Sequence, residues 1–261
     1  MHIVLAALTG AFGLLIGSFL NVVIWRVPRG ESVIRPPSHC PSCGREVRPR
    51  DNIPVLSWLL LRGRCRDCGE GISRRYPLVE VATGVVFVTL ALRLGWDNAA
   101  LPAFLYLGGV SVALWMIDLD VKRLPNVIVL PSYVVAGVLL AAAALGTGDW
   151  DRLLRAVIAA AALYGFYFVL AFLYPAGMGF GDVKLAGVLG LYLGWLGWGE
   201  LIAGGFLAFL FGGVVGIALM AVRRAGRKSQ IPFGPFMLAG ALVAILWGGA
   251  LTDLYLDHVL A

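Results

Sequence analysis

Residues 3–25 read IVLAALTGAFGLLIGSFLNVVIW, a run of 23 residues without a charged side chain. A helix needs about 20 consecutive apolar residues to cross the hydrocarbon core of a bilayer. The run therefore predicts a first membrane-spanning helix. Because no Lys or Arg precedes it, we expect it to be retained and not removed as a signal peptide. Comparable runs follow at roughly 78–95, 99–117, 124–145, 153–174, 185–199, 201–222 and 234–252.

These runs predict an all-α polytopic membrane protein with about eight transmembrane helices. The run 185–199 is short, so seven spans, or a re-entrant piece at that position, is an alternative. Composition agrees with a membrane protein, since 60% of the 261 residues are hydrophobic and 14% charged, with a mean hydropathy of +0.87. Soluble domains are about 45–50% apolar and about 25% charged. The figures exclude an ordinary soluble domain and an intrinsically disordered chain.

The net charge of +6 is confined to one polar segment, residues 26–77, which carries 11 Arg, no Lys and 5 acidic residues. The rest of the chain has equal numbers of basic and acidic side chains. We therefore expect three regions: a first helix at 1–25, the polar segment at 26–77 and a membrane-embedded body of about seven helices at 78–261. This placement predicts membrane lipids as partners and argues against nucleic acid, which the overall charge alone would have suggested.

The basic residues also predict the orientation. With eight spans, 18 Lys and Arg lie on one side of the membrane, and the other side has only Arg93, Arg152 and Arg155. The positive-inside rule places the richer side, including 26–77, in the cytoplasm and both termini outside. Seven spans would bring the C-terminus inside, although its tail carries Asp253 and Asp257 and no basic residue.

All four cysteines lie in the polar segment, as Cys40-Pro-Ser-Cys43 and Cys65-Arg-Asp-Cys68. Two such pairs at this separation predict a structural zinc site closed by four thiolates. Two disulfides or four free thiols are the alternatives, and the reducing cytoplasm disfavours the disulfides. His39 is an adjacent competing ligand, although four thiolates already complete the site. Because the segment is too small for a core of its own, we expect the metal to make it fold.

Four carboxylates lie at the predicted cytoplasmic ends of helices: Glu80, Asp118, Asp120 and Asp182. Ionisable residues at such positions are functional candidates. Asp182 follows three alternating glycines in Gly177-Met-Gly179-Phe-Gly181, which allow backbone to approach a ligand closely, although an ordinary helix cap is the alternative. Asp118 ends an apolar run, and its alternative is a residue at the water interface. Asp120 is expected to face another side of the same helix.

Two carboxylates that meet at a membrane edge suit acid–base chemistry. In aspartic peptidases one ionised carboxylate activates water while a protonated partner donates to the substrate. A proton-coupled carrier also uses membrane carboxylates, and the residues alone leave this alternative open.

The motifs together resemble a known family, and the resemblance runs nearly end to end. They are, in chain order, Gly17-Ser-Phe-Leu-Asn-Val-Val-Ile-Trp-Arg26-Val-Pro28, Cys40-Pro-Ser-Cys43, Asn52-Ile-Pro54, Cys65-Arg-Asp-Cys68, Arg75-Tyr-Pro-Leu-Val-Glu80, Ile117-Asp118 with Leu124-Pro-Asn126, Gly179-Phe-Gly-Asp182-Val-Lys184 and Pro232-Phe-Gly-Pro235. The chain resembles the type IV prepilin peptidases, bifunctional leader peptidases and N-methyltransferases within the Gly-x-Gly-Asp class of intramembrane aspartyl proteases.

The resemblance implies that Asp118 and Asp182 are the catalytic aspartates, with Asp120 as runner-up or helper. Gly179, Gly181 and Lys184 belong to the motif around Asp182. The implied substrates are prepilins and pseudopilins of type IV pili and type II secretion, cut at the cytoplasmic face of the bacterial inner membrane. The new N-terminal residue would be methylated from S-adenosylmethionine, an activity associated with the cysteine segment.

The methyltransferase rests on the resemblance alone, because the residues show no strand–Gly-x-Gly-x-x-Gly–helix motif. A peptidase that lacks this activity is therefore an alternative. Glu80 could act in methyl transfer or gating, but pairing with Arg74 or Arg75 at the start of its helix is the favoured interpretation.

Overall fold

The computed structural model describes residues 1–175, 178–222 and 232–259, with side chains described as far as residue 249. The helices in this part of the chain are α1 (His2–Arg26), α2 (Leu56–Leu60), α3 (Arg75–Leu94), α4 (Leu101–Val121), α5 (Asn126–Thr147), α6 (Trp150–Leu173), α7 (Phe180–Leu196), α8 (Trp198–Ala221) and α9 (Gly234–Val259). No β-strand forms among the described residues, which confirms the predicted all-α class. Gly177 and residues 223–231 lie outside the described residues.

Each of the eight predicted apolar runs forms a helix. Six of the helices are long and apolar enough to cross a membrane: α1, α3, α4, α5, α6 and α8. The other two are α7, which has 17 residues, and α9, which has 26 residues and whose described side chains cover the apolar part Gly234–Gly249.

The boundary between α7 and α8 differs from the prediction, which ended one apolar run at residue 199 and began the next at residue 201. The break is at Gly197, which lies between the two helices with extended backbone. Arg155 explains why α7 stops there: its Nε donates to the carbonyl of Gly194 at 2.7 Å, and its Nη2 donates to that of Trp195 at 2.9 Å. A guanidinium thus satisfies the carbonyl groups that a helix C-terminus leaves unpaired.

The first compact unit contains residues 1–101 and 105–116. In it α1 and α3 pack closely and run antiparallel, because both backbones meet at small residues. A Cβ on Gly13 would lie 2.7 Å from the Cα of Gly84, and one on Gly17 would lie 2.7 Å from the Cα of Glu80. Small residues at such crossings let membrane helices approach each other at backbone distance.

The second compact unit contains residues 102–104 and 117–261. Its central element is α7, which contacts α5, α6, α8 and α9. Of the 17 residues of α7, 13 are buried. A helix that is apolar on every side is buried either among other helices or in lipid, and α7 is buried among helices. This position explains a run too short for an ordinary lipid-facing span.

The backbone of α6 approaches α7 closely. A Cβ on Gly190 would lie 2.6 Å from the Cα of Ala160 and 2.7 Å from the carbonyl oxygen of Ala159. Both neighbours are backbone atoms, so neither can move away without displacing a helix.

We expect Gly190→Ala to destabilise the second unit, although alanine is the better helix former by about 1 kcal/mol. Overpacking of a filled interior costs about 1–3 kcal/mol, so the thermal unfolding transition of the detergent-solubilised protein should fall by several degrees.

Gly165→Ala in α6 is the matched control, because nothing lies within 4 Å of a Cβ placed there. Its transition should stay level or rise. Equal transition temperatures for the two variants would contradict the close packing of α6 on α7.

Candidate active site and metal centre

Asp118 lies in the last turn of α4, at the point where the chain leaves the helix. The residue is 4% exposed, and its carbonyl accepts the N–H of Lys122 at 2.9 Å. The side-chain atom Oδ2 is buried and has no hydrogen-bond partner among the described residues. A buried carboxylate oxygen without a partner is unusual, because burial without a hydrogen bond costs free energy.

Asp182 lies in the first turn of α7, and not before that helix as the sequence suggested. Gly179 is the N-cap residue. Its N–H donates to Oδ2 of Asp182 at 3.2 Å, and its carbonyl accepts the N–H of Asp182 at 3.0 Å. In this variant of the capping box the backbone carbonyl of Gly179 replaces the usual N-cap side chain, and the pair starts the helix at Phe180. The cap accounts for one oxygen of a carboxylate that is 9% exposed.

The second unit brings the two aspartates together. Their carboxylates lie within electrostatic range of each other. Leu124, in the turn between α4 and α5, packs against the glycine next to each aspartate. Its Cβ would lie 3.2 Å from a Cβ on Gly181, and its Cδ2 would lie 3.3 Å from one on Gly234. The turn after Asp118 therefore packs on the glycine that precedes Asp182.

Gly234 is part of the site, although the sequence singled it out only within a motif. A Cβ at this position would lie 2.6 Å from Oδ2 of Asp118, and its backbone amide approaches the same carboxylate. Gly234 is the first residue of α9, so the start of that helix directs an N–H towards Asp118. The signal in the sequence was a glycine between Phe233 and Pro235.

Tyr167 of α6 is the second residue that the sequence analysis missed. Its side chain is 1% exposed and lies close enough to Asp182 to interact electrostatically. A tyrosine within an apolar span carries no signal by itself, because aromatic residues fill helix cores far more often than they serve sites.

Of the two supporting residues Lys184 and Asp120, the first makes contacts between helices and the second is exposed. Lys184 donates to Oδ1 of Asn126 at 2.9 Å and lies 5.0 Å from the ring centroid of Phe180, which links the first turns of α5 and α7. Asp120 is exposed while Asp118 is buried, so the two face different sides of α4 as predicted.

Glu80 belongs to the first unit and is 7% exposed. Its Oε2 accepts the backbone N–H of Val55 at 2.7 Å, and its carboxylate also takes part in a side-chain hydrogen bond with Ser18. These contacts connect α3 with α1 and with the turn before α2, a connection that the sequence did not indicate.

The four cysteines converge in two equivalent loops. In the first, Cys40 N–H donates to the carbonyl of Arg45 at 2.9 Å and Gly44 N–H to that of Cys40 at 2.8 Å. In the second, Cys65 and Gly69 repeat the pattern at 2.7 Å and 3.0 Å. Gly44 and Gly69 have φ of +69° and +75°, in the region that favours glycine.

The four Sγ atoms all lie within 4.8 Å of one another, and those of Cys40 and Cys68 are 3.7 Å apart. Zinc–sulfur bonds of about 2.3 Å in a tetrahedron place the sulfurs about 3.8 Å apart. The geometry of the described cysteines therefore fits a tetrahedral metal ion, and His39 is not part of the group.

Backbone N–H groups change the pKa values of thiols in the cysteine cluster. Those of Cys43 and Ser42 lower the pKa of the Cys40 thiol to about 7. The N–H of Glu70 acts in the same direction on Cys68, but desolvation and the neighbouring sulfurs outweigh it and raise the pKa of that thiol to about 12. Crowded thiols thus resist complete deprotonation unless a cation offsets their charge.

Arginine–carboxylate pairs join the two loops to each other and to the chain between them. Asp67 accepts Nη1 of Arg45 at 3.0 Å and Nη2 of Arg48 at 3.1 Å. Arg66 forms a bidentate pair with Asp51, with Nη2 at 2.6 Å from Oδ1, and its guanidinium holds the pKa of Asp51 below the ordinary value. Part of the arginine excess thus stabilises the segment internally.

In a comparison with known protein families, two models match successive parts of the chain. Residues 11–94 match the family model described as the bacterial peptidase A24 N-terminal domain, and residues 104–219 match that of the type IV leader peptidase family. No solved structure matches the chain.

Several curated relatives match nearly its whole length, including the following three. All three are named prepilin leader peptidase/N-methyltransferase. The one from Aeromonas hydrophila is 38% identical over 95% of this chain and 93% of its own. Those from Pseudomonas aeruginosa and Bacillus subtilis are 35% and 33% identical, over 94% and 95% of this chain and 91% and 97% of their own. The chain therefore belongs to the type IV leader peptidase family.

Proposed function

We propose that this protein cleaves the leader peptides of prepilins and pseudopilins through the carboxylates of Asp118 and Asp182, and then methylates the new N-terminus. The observation that carries the peptidase proposal is the pair itself. Two carboxylates from different helices share one buried site, and one of them has an oxygen, Oδ2 of Asp118, without a partner among the described residues. Membership of a peptidase family favours hydrolysis over proton-coupled transport.

The chemistry follows from the proximity of the two carboxylates. Like charges in a low-dielectric site do not both ionise readily, so the pair shares one proton. The ionised carboxylate takes a proton from a water molecule, and the oxygen of that water attacks the scissile carbonyl carbon. The protonated one donates to the carbonyl oxygen and gives a gem-diol. When the diol collapses, the C–N bond breaks and the leaving nitrogen takes the proton that the first carboxylate gained from water. The second carboxylate takes a proton from a diol hydroxyl as the carbonyl re-forms, so the pair again holds one proton.

The surrounding backbone orients the pair. The N–H of Gly179 fixes one oxygen of Asp182, and Gly234 leaves room beside Oδ2 of Asp118. Leu124 closes the apolar side of the site through its contacts with Gly181 and Gly234. Positioning of this kind supplies much of the rate in an enzyme whose catalytic groups are few.

The orientation remains part of the proposal. We place the active site and the polar segment 26–77 on the cytoplasmic side of the membrane, and both termini outside. The charge distribution supports this, since 18 of the 21 basic residues fall on one side in the eight-span arrangement. A prepilin with an apolar helix in the membrane and a polar leader in the cytoplasm would present its cleavage junction at that edge. We also propose a division into three functional regions: a first transmembrane helix at 1–25, the polar cysteine segment at 26–77 and the membrane-embedded peptidase core at 78–261.

We propose zinc as the structural ion of Cys40, Cys43, Cys65 and Cys68. Four thiolates leave no coordination position for water, so the ion supplies folding free energy and no catalysis. S-adenosylmethionine as methyl donor rests on the names of the relatives. A role for Glu80 in methyl transfer has less support than a structural one, since its contacts are with Val55 and Ser18.

Asp118→Asn and Asp182→Asn should each lower the rate of leader cleavage by about four orders of magnitude, as loss of a catalytic carboxylate does elsewhere. The amide keeps the shape of the side chain but cannot act as base or acid. The measurement is cleavage of a purified prepilin by the detergent-solubilised enzyme. Asp120→Asn is the matched control on the exposed side of α4 and should retain cleavage. Full processing by either dyad variant would remove that residue from the proposal.

The product of the same reaction tests methylation. With S-adenosylmethionine present, mass spectrometry of the mature pilin should find one added methyl group on the N-terminal residue, and without it none. A product that is cleaved but never methylated would leave the peptidase assignment intact and eliminate the methyltransferase.

Cys43→Ser should remove the metal, because three thiolates and a hydroxyl bind zinc far more weakly. Metal content should fall from about one ion per chain to a small fraction of that, and trypsin should cleave the arginine-rich segment 26–77 rapidly. Ser42→Ala, which leaves every thiol in place, is the control and should match the wild type in both measurements. Normal zinc content and protease resistance in Cys43→Ser would refute the four-thiolate site.

A further inference from the structure

The polar segment has an apolar surface that the proposed function does not use. Residues 53–60 include α2 and the turn before it, and four of their side chains are exposed: Ile53, Leu56, Leu59 and Leu60. The largest exposure is that of Leu60, at 82%. Arg62 and Arg64, both exposed, follow directly. A cluster of exposed leucines beside arginines is typical of surfaces that enter the interface of a bilayer.

The contacts of Glu80 place this surface at membrane depth. Glu80 lies five residues into α3, about 7.5 Å along that helix from Arg75. Its partner Ser18 lies eight residues before the end of α1 at Arg26, about 12 Å along that helix. Because Val55 donates its N–H to Glu80 at 2.7 Å, the turn before α2 lies beside the spans and not beyond their ends.

Trp25 provides a reference for the level of the interface. Its side chain is exposed, and the guanidinium of Arg29 lies 3.5 Å from the centroid of its ring. Tryptophan with a neighbouring arginine is common where a helix leaves the hydrocarbon. Ser18 is two helical turns nearer the centre of the membrane than Trp25. The turn before α2 therefore lies on the hydrocarbon side of that level.

The backbone of this turn satisfies its own polar groups, as irregular structure at membrane depth requires. The N–H of Ile53 donates to Oγ of Ser57 at 3.0 Å, and that hydroxyl donates to the carbonyl of Arg50 at 3.0 Å. Trp58 donates its Nε1–H to the carbonyl of Ile72 at 3.1 Å. Val55 has φ of +61°, a rare conformation for a β-branched residue, which persists where surrounding contacts hold it.

We propose that residues 53–60 form a re-entrant element whose leucines contact the acyl chains of the adjacent leaflet, while Arg62 and Arg64 bind the phosphates of anionic lipid headgroups. Glu80 is the positioning residue that holds this element at its depth through the N–H of Val55. Charge complementarity supports the occupant, because the segment carries the entire net positive charge of the chain and anionic lipids attract such arginines. The proposal is independent of the peptidase chemistry.

The test is photocrosslinking at Leu60 in the full-length, zinc-loaded protein, reconstituted in vesicles of phosphatidylcholine and phosphatidylglycerol. A benzoylphenylalanine replaces Leu60 in one variant and Ile34 in the other. Ile34 is a matched control because it is 81% exposed and lies in the same segment, beyond the end of α1. After irradiation, mass spectrometry should find severalfold more lipid adducts at position 60 than at position 34.

Equal yields of lipid adducts at the two positions would overturn the proposal. So would a result in which position 60 crosslinks to protein and never to lipid. Zinc content establishes that each variant is folded. If the variant with benzoylphenylalanine at position 60 is not folded, the same comparison is made with the crosslinker in place of Leu59. Glu80→Ala should lower the lipid adducts at position 60 severalfold, and an unchanged yield would contradict the positioning role. Arg62→Gln with Arg64→Gln should abolish any preference for phosphatidylglycerol adducts, and a preserved preference would exclude these arginines as the headgroup site.

Discussion

The close approach of α6 to α7 is the constraint on which the candidate active site depends. Backbone meets backbone at Gly190, where a Cβ would lie 2.6 Å from the Cα of Ala160. This approach, with α5, α8 and α9 on its other sides, encloses α7 and leaves 13 of its 17 residues buried. A helix that is fixed along its length holds its first turn firmly, and that turn carries Asp182. Asp118 enters the same site from α4, and its depth is limited by Leu124 and Gly234.

Three buried carboxylates each have a backbone amide nearby. Gly179 donates to Asp182, Val55 donates to Glu80, and the amide of Gly234 approaches Asp118. Carboxylates in an apolar environment need such donors, because water is scarce and desolvation is costly. All three donors stand at the starts of helices, where N–H groups lack an intrahelical partner. Gly179 and Val55 are the N-cap residues of α7 and α2, and Gly234 is the first residue of α9.

Much of the architecture was accessible from the sequence because membrane proteins obey strong local rules. All eight apolar runs form helices, and spacing and resemblance singled out Asp118, Asp182 and the four cysteines as candidates. The errors concern the two ends of α7. Its start was placed too late, since the cap between Gly179 and Asp182 depends on a side-chain hydrogen bond. Its end was misplaced because it depends on Arg155, a residue of the run predicted at 153–174, whose guanidinium binds the last carbonyls of α7.

The sequence by itself determined the helical class, the location of the net charge in residues 26–77, and the candidate ligands and carboxylates. These properties follow from composition and spacing along the chain, which hydropathy and motif chemistry report directly. Only the tertiary structure decided that Gly234 lies against Asp118, that Tyr167 is near Asp182 and that Glu80 binds the turn at Val55. Each of these joins residues far apart in the chain, and the distance between them is set by how helices pack, which no local pattern encodes.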